Sequence, residues 1–417
     1  MERTSKRIIS VILSLMLVLN IFNWQALTLA VEPASPGENN VAEVRIENQT
    51  TSYSTFSEAW SAATQSNTAA TIKLLSNIKE NPDSSYTISN GGNITLDLNG
   101  HTLTGNGQTS VIKVCGQFTL CDNSDQKNGA EKNGAITGGG GEKGGGVYAD
   151  NNGKFTMQSG EIRNNKAFGG GGVFIENATF EMSGGQIKDN RVDYTYGIYR
   201  YNEPFGGGVF LGEDAKFTMS GGAIASNFAY NGWGGGVHVR GKFTMRGTSK
   251  IEKNQADKIG GGVVISENCQ GEFLMEGGSI TENGSAYSGG VAVQNGRKFK
   301  MTGGQITKNF AFQHGGGGVG VFSNASFCVD YKVIIRENWC VEPIFNNIFL
   351  RLGQKVIVGE NLSDDSEIGL AIESTNMSGT GVFAENVPSG VSKDVFKCDN
   401  EWLDIFYNEE TKALELR

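Results

Sequence analysis

A Gly-Gly-Val triplet recurs seven times, its valine at Val147, Val173, Val209, Val237, Val263, Val291 and Val319, with spacings of 26, 36, 28, 26, 28 and 28 residues. Each unit continues with a Phe-x-Met motif: Phe155/Met157, Phe180/Met182, Phe217/Met219, Phe243/Met245, Phe273/Met275 and Phe299/Met301, with Phe327/Val329 last. An isoleucine follows (Ile162, Ile187, Ile224, Ile251, Ile280, Ile306, Ile335), and three residues later an asparagine: Asn165, Asn190, Asn227, Asn254, Asn283, Asn309, Asn338. A fixed period of this size marks a repeat architecture. The segments between turns are too short for helices, and their apolar residues alternate with period two, as strands do. Val147 and Ala149, or Val173 and Ile175, then face one side of a strand. Three short strands per coil cannot pair with themselves, but each can pair with its counterpart in the next coil. The chain is therefore expected to be all-β, a parallel solenoid whose coils bury their inner faces on one another.

The turn residues fit that reading. Glycine enters the first strand where a sharp turn needs positive φ. Asparagine tolerates the left-handed region, and its side-chain amide can bond the amides above and below, so the seven asparagines are expected to stack as a structural ladder. At about 4.8 Å per strand, seven coils span roughly 34 Å.

Both ends look different from the middle. Residues 31–75 read as a strand-helix cap: Ala42 to Glu47 as a strand, then a capping box Thr55-x-x-Glu58 opening a helix with Phe56, Ala59, Trp60 and Ala63 on one face. Such a helix would cover strand edges at the open end of a solenoid. The solenoid itself is placed at 76–345, with regular coils from about 144, Ile94 to Leu103 and Phe118 to Leu120 forming irregular early ones. Residues 346–417 read as looser final coils closed by a hairpin of Trp402 to Tyr407 and Ala413 to Leu416.

Residues 1–30 read as a secretory signal peptide: basic Arg3, Lys6 and Arg7, an apolar run from Ile8 to Phe22, and small residues near Ala30. An uncleaved membrane anchor is the alternative. No second apolar span and no C-terminal sorting signal is seen, so the expectation is a secreted or extracellular, surface-associated protein that is not integral to a membrane after cleavage. The net charge of −9 is spread along the chain and disfavours nucleic acid and anionic membranes as partners. Six cysteines (Cys115, Cys121, Cys269, Cys328, Cys340, Cys398) in an exported chain permit up to three disulfides, Cys115–Cys121 being the favoured pair. They are too sparse to replace a packed core.

The Gly-Gly-Gly-Val, Phe-Thr-Met-x-Gly-Gly-x-Ile and x-x-Asn units, with Thr95 to Leu103 preceded by Ala70 to Leu75, resemble the right-handed parallel β-helix repeats of surface proteins from Gram-positive bacteria and spirochaetes, members of the pectin-lyase-like superfold. Gly221 to Ile224 is also similar to the repeats of chlamydial polymorphic membrane proteins, but the membrane barrel that ends those proteins has no counterpart here. The resemblance covers roughly residues 41–400 and implies a fold more than an activity.

Enzymes of that superfold cluster carboxylates on an outer sheet face, where paired acids do general acid–base work. The outward row before each ladder asparagine reads Asn164, Asp189, Ser226, Lys253, Glu282, Lys308, Glu337, which suits a solvated row of weak ion pairs rather than catalysis. His101, His238 and His314 fall on separate coils, so no metal site is expected. No catalytic residue and no cofactor is assigned. One outward row has character: Tyr148, Phe174, Phe210 and His238, continuing as Val264, Ala292 and Gly320, which would form an exposed aromatic stripe. Beside it lies the one large insertion, carrying Tyr194, Tyr196, Tyr199 and Tyr201, material suited to sugar or protein contacts. Carbohydrate rings, a partner protein or the insertion itself would each cover the stripe. The expected function is a cell-surface or secreted scaffold binding a glycan or a host or cell-wall protein. The alternative is a polysaccharide lyase or glycoside hydrolase, or an inactive glycan-binding relative.

Overall fold

Short strands, most of them two to five residues long, stack in parallel and in register from coil to coil. The computed structural model describes residues 39–79, 84–124, 133–194, 204–267, 269–313, 315–340, 346–351, 353–372, 381–399 and 404–416. The first strands of successive coils pair Val147 with Val173, Val173 with Val209, Val209 with Val237, and so on to Val319 with Ile348. The second strands align Phe155 with Phe180 and every later phenylalanine with the next. The third strands align the isoleucines. The result is a β-solenoid of about ten turns.

Three strands per coil is one too few. Directly after each ladder asparagine a further short strand forms, at Lys166–Ala167, Arg191–Val192, Phe228–Ala229, Gln255–Ile259, Gly284–Tyr287, Phe310–Ala311 and Trp339–Cys340, and these build a separate seven-stranded parallel sheet. Most are only two residues long, so they carry no alternation to read. Val192, Ala229 and Ala256 form a small apolar cluster of their own behind this sheet.

Inside the solenoid eight phenylalanines make one continuous pile. Phe118, Phe155, Phe180, Phe217, Phe243, Phe273, Phe299 and Phe327 stack with centroids 4.4–5.4 Å apart and ring planes within 16° of parallel. The strand spacing sets this separation, and parallel β pairing imposes one rotamer on every ring.

The asparagines are buried and fully engaged. Asn190 donates its backbone N–H and its Nδ2 to Asn227 Oδ1, both at 3.0 Å, and Nδ2 also donates to Ile162 O one coil back at 2.8 Å. The same pattern links Asn165 to Asn190 and runs from Asn227 through Asn254, Asn283 and Asn309 to Asn338. The left-handed residue is not the asparagine but the one before it: Asn164, Asp189, Ser226, Lys253, Glu282, Lys308 and Glu337 all have φ between 54° and 59°. Those residues are exposed, and Lys253 and Glu282 approach to 3.9 Å, as a weak surface pair does. The ladder amide holds the turn closed, so the residue in the strained position need not be glycine.

The ladder runs past Asn338 to Asn347, nine residues on, whose N–H and Nδ2 both donate to the carboxylate of Asp399 at 2.7 Å. Burial pushes the Asp399 carboxyl up from 3.8 to about 6, against the two Asn347 donors that lower it. A carboxyl raised in the folded state stabilises fully below its unfolded value, and that contribution is lost as pH climbs through about 6. Asp399→Asn can take both donors on one Oδ1, as every other rung does. At pH 7 the variant is expected to match or exceed the parent by up to about 2 kcal/mol, and to lose the parent's decline in stability between pH 4 and 6. Thermal unfolding across that range checks this; a variant less stable than the parent at pH 7 contradicts it.

Glycine's role in the Gly-Gly-Val run is close approach as much as turning. Gly170 has φ +60° with Val173 O only 2.3 Å from where a Cβ would sit, and a Cβ on Gly171 would lie 2.4 Å from Gly207 O. The runs stack backbone on backbone, Gly171 N–H donating to Gly206 O and Gly207 N–H to Gly234 O.

At the N-terminal end, Ala42–Ile46 pairs antiparallel with Gln49–Tyr53 and with Ala70–Leu74, which passes into the parallel stack through Asn93–Asp97. The helix Phe56–Thr64 has Thr55 at its N-cap, accepting from Glu58 N–H at 3.2 Å while its hydroxyl donates to Glu58 Oε2 at 2.8 Å. Its buried face is Phe56, Ala59, Trp60 and Ala63, and Phe56 and Trp60 pack on Tyr86, the first residue of the first-strand stack. At the other end Ile405–Asn408 and Ala413–Leu416 form an antiparallel hairpin that also pairs with Gly381–Glu385. Trp402 lies outside the described residues. Cys115 and Cys121, the pair the sequence favoured, form no disulfide: the Cys115 thiol meets Asn151 Nδ2 at 3.5 Å, and the Cys121 thiol meets Leu96 O at 3.7 Å. Each lies against its own neighbouring coil, which leaves neither thiol facing the other. No helix among the described residues is long and apolar enough to cross a membrane.

Candidate functional site

The aromatic row on the outer face of the first strand is not the exposed stripe the sequence suggests. Phe174 and Phe210 are 8% and 7% exposed and His238 1%, while Val264 and Ala292 are fully covered. The cover comes from the chain just before each glycine run, which crosses back over the outer face. Lys143, Gly169, Phe205 and Trp233 sit there as a short parallel ladder of their own. Only Tyr148, at the N-terminal end of the row, is half-buried.

Between the row and this crossing lies a cavity of about 350 Å³, walled by Phe168, Phe174, Phe205 and Phe210 and rimmed by charge. Phe174 and Phe210 stack at 4.4 Å, Phe210 and His238 at 5.3 Å, and Phe205 meets the His238 ring edge-on at 4.9 Å. Phe168 closes the far side, 6.2 Å from Phe205. Seven polar or charged groups join this aromatic wall: Glu142, Lys143, Glu176, Asn177, Glu213, Asp214 and Arg240. Lys143 Nζ bridges both oxygens of Glu176, at 2.9 and 2.7 Å, and lies 5.6 and 5.4 Å from the ring centres of Tyr148 and Phe174. The Tyr148 hydroxyl lies 2.6 Å from Glu176 Oε2 and 2.9 Å from Asp150 Oδ2. Burial, reinforced by these two carboxylates, holds the Tyr148 phenol far above its usual value, so it stays protonated and donates. Arg240 pairs with Glu213.

A second cavity of about 240 Å³ shares Phe205, Phe210 and Arg240 with the first and adds Trp233, His238, Ser266 and Glu267. Burial and then the nearby Arg240 guanidinium push His238 down to about 3, so it is neutral at ordinary pH. Its imidazole bonds the Trp233 backbone, while Nδ1 has no partner; Trp233 Nε1 and Arg240 Nε are likewise buried without one. Unsatisfied polar atoms covered by protein are a cost to stability, and all three belong to residues around one small hollow.

The remaining candidates fall elsewhere. Tyr194 is exposed at the rim, its ring 6.4 Å from Phe168, and Tyr196, Tyr199 and Tyr201 lie outside the described residues. Asn165, Asn190, Asn227, Asn254, Asn283, Asn309 and Asn338 form the buried ladder and line neither of these two cavities. His101 lines a polar groove on the third-strand face, whose buried Glu161 is bound by Arg163 and Lys188, both at 2.9 Å, and by Asn133 at 3.1 Å. His314 lies outside the described residues. Among the described residues no three His, Cys, Asp or Glu side chains are grouped to hold a metal ion.

Sequence reasoning missed Lys143, Phe168, Glu176, Phe205, Glu213 and Arg240. Glu176 and Arg240 occupy the position just after the first strand, which also holds Asp150, Gly212, Ser266 and Gln294. That column changes character from coil to coil where the rest of the repeat stays constant, and this departure is the available signal.

The chain matches no protein-family model, and neither the curated proteins nor the solved structures give a match.

Proposed function

We propose that this protein is an exported β-solenoid that binds a glycan in the aromatic cavity over its first-strand sheet, without turning it over. The observation that carries the reading is the cavity itself. Flat phenylalanine faces wall a space ringed by Lys143, Glu176, Glu213, Asp214 and Arg240, the combination of apolar wall and few fixed polar groups that suits a sugar ring. Export rests on the basic and apolar pattern of residues 3–22, and the kinship with pectin-lyase-like surface proteins rests on the coil motifs.

The protein recovered from culture medium is expected to begin near residue 31 and to bind at least one oligosaccharide class on a glycan array. Phe205→Ala, at a half-buried position on the cavity wall, is expected to weaken that binding about tenfold while leaving the melting temperature within a few degrees. An array blank at millimolar protein sinks the reading. A second reading, hydrolysis or elimination of the bound chain, has one observation in its favour: Glu176, Glu213 and Asp214 share a cavity. Release of reducing ends that Glu176→Gln abolishes would establish it.

A further inference from the structure

We infer that the glycan carries free amino groups, as a chain of de-N-acetylated hexosamine units does, and that its ammonium groups meet the acidic rim of the larger cavity. The inference rests on the glycan-binding reading and sharpens it. Around that cavity Glu142, Glu176, Glu213 and Asp214 share the rim with two cations, Lys143 and Arg240. Both cations are engaged, Lys143 by Glu176 and Arg240 by Glu213. Glu142 and Asp214 are exposed and form no ion pair among the described residues.

These acids gather at the coils that build the cavities. There the turn after the first strand carries Glu176, Glu213, Asp214 and Glu267. The same turn holds no acid at 89–92, 115–116, 294–297 or 322–325. The molecule also shows how an ammonium rests at this wall. Lys143 Nζ sits on the Glu176 carboxylate with the ring centres of Tyr148 and Phe174 5.6 and 5.4 Å away. A sugar ring lying on Phe205, the most open of the four wall rings, would carry its amine to the same kind of surroundings, aromatic on one side and anionic on the other. A hydroxyl in that place gains no charge-assisted bond, and a uronate meets repulsion.

Calorimetric titration of the purified protein decides it, at about pH 5.5, where rim carboxylates are charged and sugar amines protonated. The probes are β-1,4-linked tetramers of glucosamine and of N-acetylglucosamine, a galacturonate tetramer and a lysine tetrapeptide. The glucosamine tetramer is expected to bind about tenfold tighter than its acetylated counterpart, and tighter by a similar factor than the peptide, which has the charge but no ring to lie on phenylalanine. The uronate is expected not to bind measurably. Glu142→Gln with Asp214→Asn is expected to weaken glucosamine binding about tenfold. Glu276→Gln with Glu360→Gln removes the same charge from exposed positions outside both cavities and is expected to leave it unchanged. Glucosamine binding no tighter than that of the acetylated tetramer, the peptide or the uronate, or weakened equally by both variant pairs or by neither, overturns this inference and leaves glycan binding standing. Failure of all three sugars here and of every sugar on the array overturns both.

Discussion

Asn254→Leu is expected to destabilise the middle of the solenoid by about 4–6 kcal/mol, the largest effect of any single ladder substitution. The side chain is 1% exposed and fills its place in a run of amides with no spare partners. Its removal leaves three buried hydrogen-bonding positions unmet at once: the Asn227 N–H, one of the two Asn227 Nδ2 hydrogens (the other still donates to Ile187 O) and the place that Asn254 Nδ2 fills on the carbonyl of Ile224. An unmatched buried polar group costs about 1–3 kcal/mol each, and leucine has nearly the right volume but returns none of those bonds. The neighbouring turn suffers as well, because Lys253 stays in the left-handed region at φ 57° only while the next amide holds it there. The loss should be local, since each coil touches only its neighbours. Amide exchange in residues 224–283 is expected to accelerate by two or more orders of magnitude while exchange beyond Phe327 changes little. Uniform acceleration along the chain, or none, would contradict the ladder's role.

Phe243→Ala is expected to cost about 3–5 kcal/mol. Phe243 is 1% exposed and sandwiched between Phe217 at 4.8 Å and Phe273 at 4.7 Å. The parallel strands hold those two rings at a double spacing, so the gap cannot close by collapse, and the cost belongs at the upper end of the range. The empty slot has the shape of one aromatic ring and is lined only by apolar groups. Benzene is expected to enter it and to restore part of the lost melting temperature, while leaving the parent protein unmoved. A loss below 1 kcal/mol, or the same benzene response in both proteins, would show that the stack yields more than its geometry allows.

The solenoid was legible because its signal is redundant. Seven repeats of Val, Phe-x-Met, Ile and Asn each point to the same register, and the capping box at Thr55 and Glu58 marks the helix by its own chemistry. What escaped had no period to show. Gln49–Tyr53 is polar along its whole length and is held as a strand by pairing with Ala42–Ile46 rather than by burial. The short strands after each asparagine have room for one inward residue apiece. The row of Tyr148, Phe174 and Phe210 lies on the outer face of its strand, as its spacing implies, but whether it is open or covered is not readable from those residues, because nothing in them reveals that the chain recrosses above them. That crossing depends on the glycines, whose missing side chains let the backbone pass within van der Waals reach of the ring of Phe174. The cavity is likewise assembled from positions before and after the glycine run, which an alignment by coil keeps in separate columns.

The coils from Val263 to Val319 are nearly interchangeable, and their Phe, Ile and Asn rungs mate equally well with the coil above and the coil below. Length is therefore a quantised variable in this molecule. Inserting or removing one 28-residue unit between Val263 and Val291 moves the C-terminal hairpin by one strand spacing, about 4.8 Å, without altering a contact around Phe174 or Phe210. The repeats beyond the cavity act as a graduated stem, and the two ends, which cannot mate with another coil, set how many graduations it has.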